Sequence, residues 1–175
     1  MFINGIISIS SNNVIGNNNR LPWFISKEME FFKYTTQNSI CVMGRETFSS
    51  LKKPLKDRIN IVLTNNSSYA YDQWHKYKLD NLFFYSKQPI GQLLFDFQSF
   101  QIYYKKPIFI IGGAQIYTLF EPYISRWYIS RIDISEKGDT LYTYFDGESF
   151  NNSFFQSRLL VQDDEFCTYQ YDLVA

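Results

Sequence analysis

Apolar residues along the 175-residue chain follow two alternating patterns. Runs rich in β-branched and aromatic residues predict strands at residues 2–9, 39–43, 58–63, 81–85, 107–111, 126–133, 153–161 and 165–173. Apolar positions spaced three and four apart predict helices over residues 26–36, 45–51, 89–100 and 114–121. The polar stretch 64–80 is predicted to be a loop.

Strands that alternate with helices are typical of parallel βαβ units, and two final strands without a helix between them predict an antiparallel edge. The length suits one hydrophobic core. We therefore expect a single α/β domain over residues 1–175. Its sheet is expected to be twisted, mostly parallel and eight-stranded, with an antiparallel C-terminal edge strand and helices on both faces.

Charge and composition narrow the function classes. Lys plus Arg and Asp plus Glu number 17 each, so no electrostatic footprint for nucleic acid or an anionic membrane is present. The apolar runs are too short to span a bilayer, and no signal peptide is predicted. Cys41 and Cys167 are isolated, which predicts free thiols in a reducing cytoplasm and no metal site. With His75 as the only histidine, proton chemistry falls to carboxylates, hydroxyls or water.

Glu28 is the first candidate for chemistry. It lies on the apolar stripe of the predicted helix 26–36, together with Ile25, Met29 and Phe32. An acid on that stripe faces the core or a cleft, where an ionised carboxylate is costly without a partner. The alternative is a helix-start role, with Ser26 as the N-cap and Glu28 at the positive end of the helix dipole.

Two strand-to-helix junctions predict a phosphate-binding site. Gly44 and the pair Gly112-Gly113 each end a buried strand just where a helix begins. Glycine allows a ligand close to the backbone, and free N–H groups at a helix start attract phosphate. Tight helix–strand packing is the alternative at either junction alone. Together they favour a dinucleotide bound at the carboxyl ends of the strands.

The next strand, at 58–63, selects between cofactors. It ends in Thr64-Asn65, with no acid to bind a ribose 2′-hydroxyl, and Arg45 is near enough in the predicted fold to join a phosphate site. Hydroxyl and amide donors together with Arg45 suit a ribose 2′-phosphate, which favours NADPH over NADH. Arg58, at the start of the same strand, is a candidate for holding a substrate carboxylate, the alternative being a solvated surface arginine.

In order and spacing, these features resemble the dihydrofolate reductase family over nearly the whole chain. The motifs that carry the resemblance are Ile15-Gly16 with Leu21-Pro22-Trp23, Glu28, Met43-Gly44-Arg45 with Thr47-Phe48, Pro54-Leu55 with Arg58, Ile111-Gly112-Gly113 with Tyr117, and Gly138-Asp139-Thr140. The family resemblance implies a non-proline cis peptide bond between Gly112 and Gly113. It also implies that residues 15–24 form a loop that closes over the active site.

The resemblance further implies NADPH-dependent reduction of 7,8-dihydrofolate to tetrahydrofolate for one-carbon metabolism and thymidylate synthesis, by a cytoplasmic monomer. Hydride would go to C6, and N5 would be protonated through water. The catalytic positions would be Glu28, Leu21, Trp23 and Ser130. The substrate would contact Ile6, Glu28, Met29, Phe32, Leu51, Leu55, Arg58, Ile111 and Ser130. The cofactor would contact Ser8, Ile15, Gly16, Leu21, Gly44, Arg45, Thr47, Thr64, Asn65, Gly112, Gly113, Ala114, Gln115, Ile116 and Tyr117.

Two alternatives stay open at this point. A reductase of the riboflavin pathway shares the fold and NADPH, but its phosphoribityl substrate needs no apolar slot with one acid. An inactive nucleotide-binding module would bind NADPH and no antifolate.

Overall fold

The predicted strands pair into one eight-stranded sheet in a computed structural model that describes residues 1–86, 88–143 and 155–174. The strand order is β5-β4-β3-β6-β1-β7-β10-β9, and β2 pairs separately with β8. The strands are β1 Ile3–Ser10, β2 Val14–Gly16, β3 Ile40–Gly44, β4 Ile59–Leu63, β5 Leu82–Tyr85, β6 Ile108–Ile110, β7 Arg126–Ile132, β8 Thr140–Leu141, β9 Phe155–Gln162 and β10 Phe166–Leu173.

Pairing directions confirm the predicted mixed sheet. Neighbouring strands from β5 to β7 run parallel, whereas β10 runs antiparallel to both β7 and β9. The antiparallel strand is therefore one in from the C-terminal edge, and β9 is the edge itself. Of the predicted strand 153–161, positions 153 and 154 lie outside the described residues.

Helices cover both faces of the sheet, as predicted. They are α1 Ser26–Thr36, α2 Arg45–Ser50, α3 Ser67–Tyr77, α4 Ile90–Tyr104 and α5 Ala114–Phe120. Alternate strand residues point to opposite faces, so the strands contribute to a core on each face, and Ile25, Ile132 and Phe166 form a third, smaller cluster. The larger core includes Phe97 of α4 and Phe120 of α5. The other core includes Ile6 and Phe48, with Phe32 of α1 packed against it. None of the helices in the described ranges is both long and apolar enough to cross a membrane.

The prediction of a loop over 64–80 is wrong, because α3 occupies residues 67–77. The Asn66 side chain accepts a hydrogen bond from the Tyr69 backbone N–H at 2.8 Å and so caps the helix. None of its residues is buried, and the many polar residues of the stretch concealed the helix from sequence analysis. Tyr69 and Tyr77 nevertheless pack against the core that contains Phe48, and the ring of Tyr77 is edge-on to Phe48 at 6.2 Å.

The strands β2 and β8 form a short ribbon that the hydrophobic pattern did not predict. Val14 pairs with Leu141 and Gly16 with Thr140. The Asp139 carboxylate also accepts a hydrogen bond from the Asn18 backbone N–H at 2.9 Å. The ribbon therefore fixes the start of the 15–24 loop to the turn before β8.

Gly5 of β1 leaves room for the ring of Trp127, its partner on the neighbouring parallel strand β7. An added Cβ at Gly5 would lie 2.4 Å from the fully buried indole of Trp127. We expect Gly5→Ala to lower the free energy of unfolding by about 1–3 kcal/mol through overpacking. Chemical denaturation of the two proteins measures the change.

Gly91 provides the matched control for this substitution. It lies in α4, and an added Cβ would meet nothing within 4 Å. Gly91→Ala is expected to be neutral or to stabilise by up to about 1 kcal/mol through helix propensity. An equal loss of stability in both variants would show that the contact with Trp127 is not the cause.

Candidate active site

A cleft of about 570 Å³ opens at the carboxyl end of the sheet. Its floor comes from β1 and the segment after β6, and its sides come from α1, α2 and the 15–21 part of the loop. Because neighbouring parallel strands end at the same edge, residues far apart in sequence meet here. In open α/β sheets this is where ligands bind.

The cleft brings together most of the residues predicted for the site. Those that line it are Ile6, Ser8, Ile15, Gly16, Leu21, Glu28, Met29, Phe32, Thr47, Leu51, Leu55, Arg58, Ile111, Gly112, Gly113 and Tyr117. Predicted residues outside its lining are Trp23, Gly44, Arg45, Thr64, Asn65, Ala114, Gln115, Ile116 and Ser130. Lining residues that sequence analysis missed are Ile7, Asn19, Arg20, Glu30, Lys33, Glu46, Ser50 and Thr140.

Glu28 lies in the first turn of α1 with its side chain in the cleft wall. It is only 5% exposed, in contrast to Met29, which is 46% exposed in the same cleft. Burial raises the pKa of the Glu28 carboxyl, and the hydroxyls of Ser130 and Ser8 oppose this shift by hydrogen bonding. Ser26 is not the N-cap, because α1 is preceded by Ile25, which provides no side-chain cap.

Trp23 is tied to the same group of hydroxyls. Its indole Nε1–H donates to Ser8 Oγ at 3.2 Å. The indole nitrogen has no acceptor capacity, so Ser8 must accept here and keeps its own proton for the Glu28 carboxylate. Ser8 therefore connects the loop to the buried acid.

Tyr117 closes the cleft beneath the glycine pair. Its hydroxyl donates to the Ile6 carbonyl oxygen at 2.7 Å, and an added Cβ at Gly112 would lie 3.1 Å from its ring. Burial, reinforced by the Glu28 charge, raises the pKa of Tyr117. The phenol is therefore a neutral hydrogen-bond donor at physiological pH.

Arg58 is a buried cation at the other end of the cleft. It is 8% exposed, which excludes a solvated surface arginine. Its Nη1 donates to Thr36 Oγ1 at 3.0 Å and its Nε to the Lys56 carbonyl at 3.0 Å. No carboxylate in the described part of the chain pairs with it. A guanidinium has more N–H donors than these two contacts use, so it retains donors for a ligand.

Asn60 fixes the segment that presents Arg58, and sequence analysis missed it. Its amide is fully buried, accepts from the Leu55 N–H at 2.9 Å and donates to the carbonyls of Leu55 and Arg58. The available signal was one amide inside the apolar strand Ile59–Leu63. Such a residue is tolerated in a core only when it is hydrogen-bonded.

The two glycine junctions lie side by side. The Gly44 N–H donates to the Gly112 carbonyl at 2.8 Å, and the Gly112–Gly113 peptide bond is cis, as the resemblance implies. Neither α2 nor α5 has a side-chain cap at its start. In α5 the N–H groups of Ile116 and Tyr117 donate to the Gly113 carbonyl at 2.9 and 3.0 Å, so the N–H groups before them are the ones that a ligand could reach.

Arg45, which follows β3, and Thr64 and Asn65, which follow β4, lie outside the cleft lining. Arg45 forms a salt bridge with Glu46 at 2.5 Å and lies over the Tyr69 ring, 6.0 Å from its centroid. Thr64 Oγ1 accepts from the Asn66 N–H at 3.1 Å. These groups form an exposed rim next to the Gly44 junction.

The fold and the cleft together place the protein in the class of α/β domains whose ligand site combines one buried acid with two glycine junctions. The family model for dihydrofolate reductase matches residues 2–174. The chain therefore belongs to the dihydrofolate reductase family, as the motifs predicted.

Curated relatives agree with this assignment. The dihydrofolate reductase of Staphylococcus haemolyticus is 30% identical over 137 residues, which cover 78% of this chain and 74% of the relative. The dihydrofolate reductase of Buchnera aphidicola from Acyrthosiphon pisum is 34% identical over 143 residues, covering 81% and 79%.

A solved structure shares the fold. Dihydrofolate reductase from Enterococcus faecalis, complexed with NADP(H) and RAB-propyl, superposes with a TM-score of 0.69 at 22% identity. The match covers 98% of this chain and 96% of that one.

Burial of Glu28 makes the stability of the protein depend on pH. Because its pKa is raised in the folded state, the folded protein binds more protons than the unfolded chain above the ordinary glutamate pKa. The contribution of Glu28 to the free energy of unfolding is therefore greatest below the ordinary glutamate pKa. It is lost as pH rises from that value through the raised pKa of the folded state. We expect Glu28→Gln to unfold at a higher temperature than the parent protein at pH 7. This difference should disappear below the pKa that Glu28 has in the unfolded chain.

Thermal unfolding across this pH range measures the effect. Glu30→Gln, an exposed carboxylate on the same helix, is the matched control, since its side chain stays in water in both states. A gain of the same size in both variants would contradict burial of Glu28 as the cause.

Proposed function

We propose that this protein reduces 7,8-dihydrofolate to 5,6,7,8-tetrahydrofolate with NADPH. The observation that carries the proposal is that one apolar cleft contains both a buried carboxylate, Glu28, and, at its other end, a buried guanidinium, Arg58. The substrate has a hydrogen-bonding pterin at one end and a glutamate carboxylate at the other. Family membership supports the same reaction.

Glu28 binds the pterin in this proposal. A carboxylate in a water-poor wall is a strong acceptor for the 2-amino group and N3 of the ring. The Ser130 hydroxyl completes the hydrogen-bonding of that carboxylate. The ring itself packs between apolar side chains: Ile6, Met29, Phe32, Leu51, Leu55 and Ile111.

The glycine junctions fit a dinucleotide phosphate. An added Cβ at Gly113 would meet only the Thr47 hydroxyl, at 3.5 Å, so the backbone there is open to a close ligand. The Gly44 and Gly112–Ile116 backbones would hold the pyrophosphate, with Thr47, while Arg45, Thr64, Asn65 and Gln115 would contact the adenine-ribose end. When bound, NADPH supplies the hydride that is transferred to C6 of the substrate.

The loop and its tryptophan shield the reacting atoms. Ile15, Gly16 and Leu21 line the cleft beside Ser8 and Tyr117, where they would cover the nicotinamide and exclude bulk water. Glu28 contacts the opposite edge of the pterin from N5. The proton for N5 therefore arrives through water admitted beside Leu21 and Trp23, while the Glu28 charge favours protonation of the bound ring.

We further propose a monomer in the cytoplasm. Every group assigned to substrate and cofactor comes from one chain, so no second copy is needed to complete the site. Cys41 and Cys167 are both free thiols, which suits a reducing compartment.

Thermal unfolding with NADPH, with methotrexate and with both tests the proposed function. A ligand that binds only the folded state raises the unfolding temperature, so we expect stabilisation by each ligand and a larger shift with both. In Glu28→Gln, stabilisation by NADPH should persist, whereas stabilisation by methotrexate and turnover at neutral pH should fall sharply. Stabilisation by NADPH alone in the parent protein would favour a riboflavin-pathway type of reductase or an inactive nucleotide-binding module.

Arg58 is expected to determine affinity for the substrate tail. Arg58→Gln removes a charge-assisted hydrogen-bonded pair and should raise KM for dihydrofolate roughly 10- to 100-fold. Reduction of a 7,8-dihydropterin that lacks the benzoylglutamate tail should be unaffected. Steady-state kinetics with both substrates makes the comparison.

Arg20→Gln, at an exposed arginine of the same cleft, is the control and should leave the KM for both substrates near that of the parent. If Arg58→Gln impaired both substrates equally, the assignment of Arg58 to the tail would be wrong.

A further inference from the structure

Three hydroxyl side chains form a row across the sheet beneath Glu28. Ser8 of β1 is in register with Ser130 of β7, and Ser130 is in register with Thr168 of β10. Ser130 and Thr168 are 1% and 0% exposed, and their hydroxyl oxygens are 3.0 Å apart. Thr168 contacts neither substrate nor cofactor in the proposed function.

The direction of the protons in this row follows from the chemistry of a hydroxyl. Each hydroxyl has one proton to donate and two lone pairs to accept with. A carboxylate has no proton and can only accept, so the Ser130 hydroxyl, which lowers the pKa of Glu28 by hydrogen bonding, acts on the charged acid as a donor. Its proton is thereby committed, so its contact with Thr168 must be one in which Thr168 donates.

We propose that Thr168 is a positioning residue for the reaction: its hydroxyl donates to Ser130 Oγ and so holds the Ser130 proton on the Glu28 carboxylate. Hydrogen bonds in such a chain polarise and strengthen one another. Without the donor at position 168, the Ser130 hydroxyl is free to rotate. Glu28 would then lose part of the stabilisation of its charged form.

The row has the same design on its other side. Ser8 accepts from the Trp23 indole and donates to Glu28. Each serine next to the acid therefore accepts a hydrogen bond from one neighbour. Ser8 accepts from Trp23 of the loop, and Ser130 accepts from Thr168 of the sheet. Thr168 differs from Trp23 because it is fully buried and independent of the loop.

Other charges near Glu28 are separate from Thr168. The titratable groups that share the cleft with the carboxylate are Arg20, Glu30, Lys33, Glu46, Arg58 and Tyr117. On the outer side of α1, Lys27 pairs with Asp163 at 2.5 Å. A substitution at Thr168 changes none of these groups, so its effect on the acid is transmitted through Ser130.

Thr168→Val and Thr168→Ser form a matched pair. Valine keeps the β-branched shape and removes the hydroxyl, whereas serine keeps the hydroxyl. The inference rests on the proposed function, so the readout is the pH dependence of kcat/KM for dihydrofolate. We expect the limb that reports Glu28 to move to higher pH in Thr168→Val, in the same direction as in Ser130→Ala but by less. Thr168→Ser should match the parent profile.

A double-mutant cycle tests the route of the effect. In a Ser130→Ala background, Thr168→Val should cause no further shift. An unshifted profile in Thr168→Val, or an equal shift with and without Ser130, would overturn the proposal. If Thr168→Val does not fold, Thr168→Ala in the same cycle takes its place.

Direct titration of Glu28 separates this inference from the proposed function. The 13C resonance of the Glu28 carboxyl, assigned by comparison with Glu28→Gln, reports the titration without any substrate. If the parent protein fails to reduce dihydrofolate, the proposed function is wrong. Thr168→Val should still raise the midpoint of this titration, and an unchanged midpoint would refute the role of Thr168.

Discussion

The burial of one carboxylate beneath α1 is the constraint on which the rest of the site depends. Glu28 lies 5% exposed above a row of hydroxyls, and burial outweighs their hydrogen bonds in setting its pKa. A buried charge without a counter-ion is tolerated only where rigid donors surround it. Strands β1, β7 and β10 provide them, because their register places Ser8, Ser130 and Thr168 side by side.

The same sheet order brings the two glycine junctions and strand β1 together at one cleft. Strands β3 and β6 are neighbours, so the backbone N–H of Gly44 can donate directly to the Gly112 carbonyl. Tyr117, one turn further along α5, packs on Gly112 and hydrogen-bonds to the Ile6 carbonyl. Backbone geometry at the glycines is thus coupled to β1, the strand that carries Ser8.

Sequence periodicity was sufficient for the eight strands of the main sheet and their mixed pairing, whereas most of the residues that line the cleft came from the family resemblance. It failed at α3, where capping by Asn66 and aromatic packing stabilise a helix without a buried apolar stripe. It also failed for Asn60 and Thr168. The importance of Thr168 depends on its cross-strand neighbour Ser130, and pairing register is a property of the folded sheet that no local window of sequence contains. The importance of Asn60 depends on how the preceding segment folds back, so that Leu55 and Arg58 reach its amide.

The two buried charges of the cleft support the proposal of a bipolar substrate. Glu28 and Arg58 have opposite signs, yet neither takes part in the ion pairs found among residues 1–86, 88–143 and 155–174. Each is held by neutral groups instead, Glu28 by hydroxyls and Arg58 by Thr36 and a carbonyl. A ligand with donors at one end and a carboxylate at the other satisfies both charges at once. The phosphoribityl chain of a riboflavin-pathway substrate would place its phosphate at Arg58, and its hydroxyl groups would not match the apolar wall of the cleft.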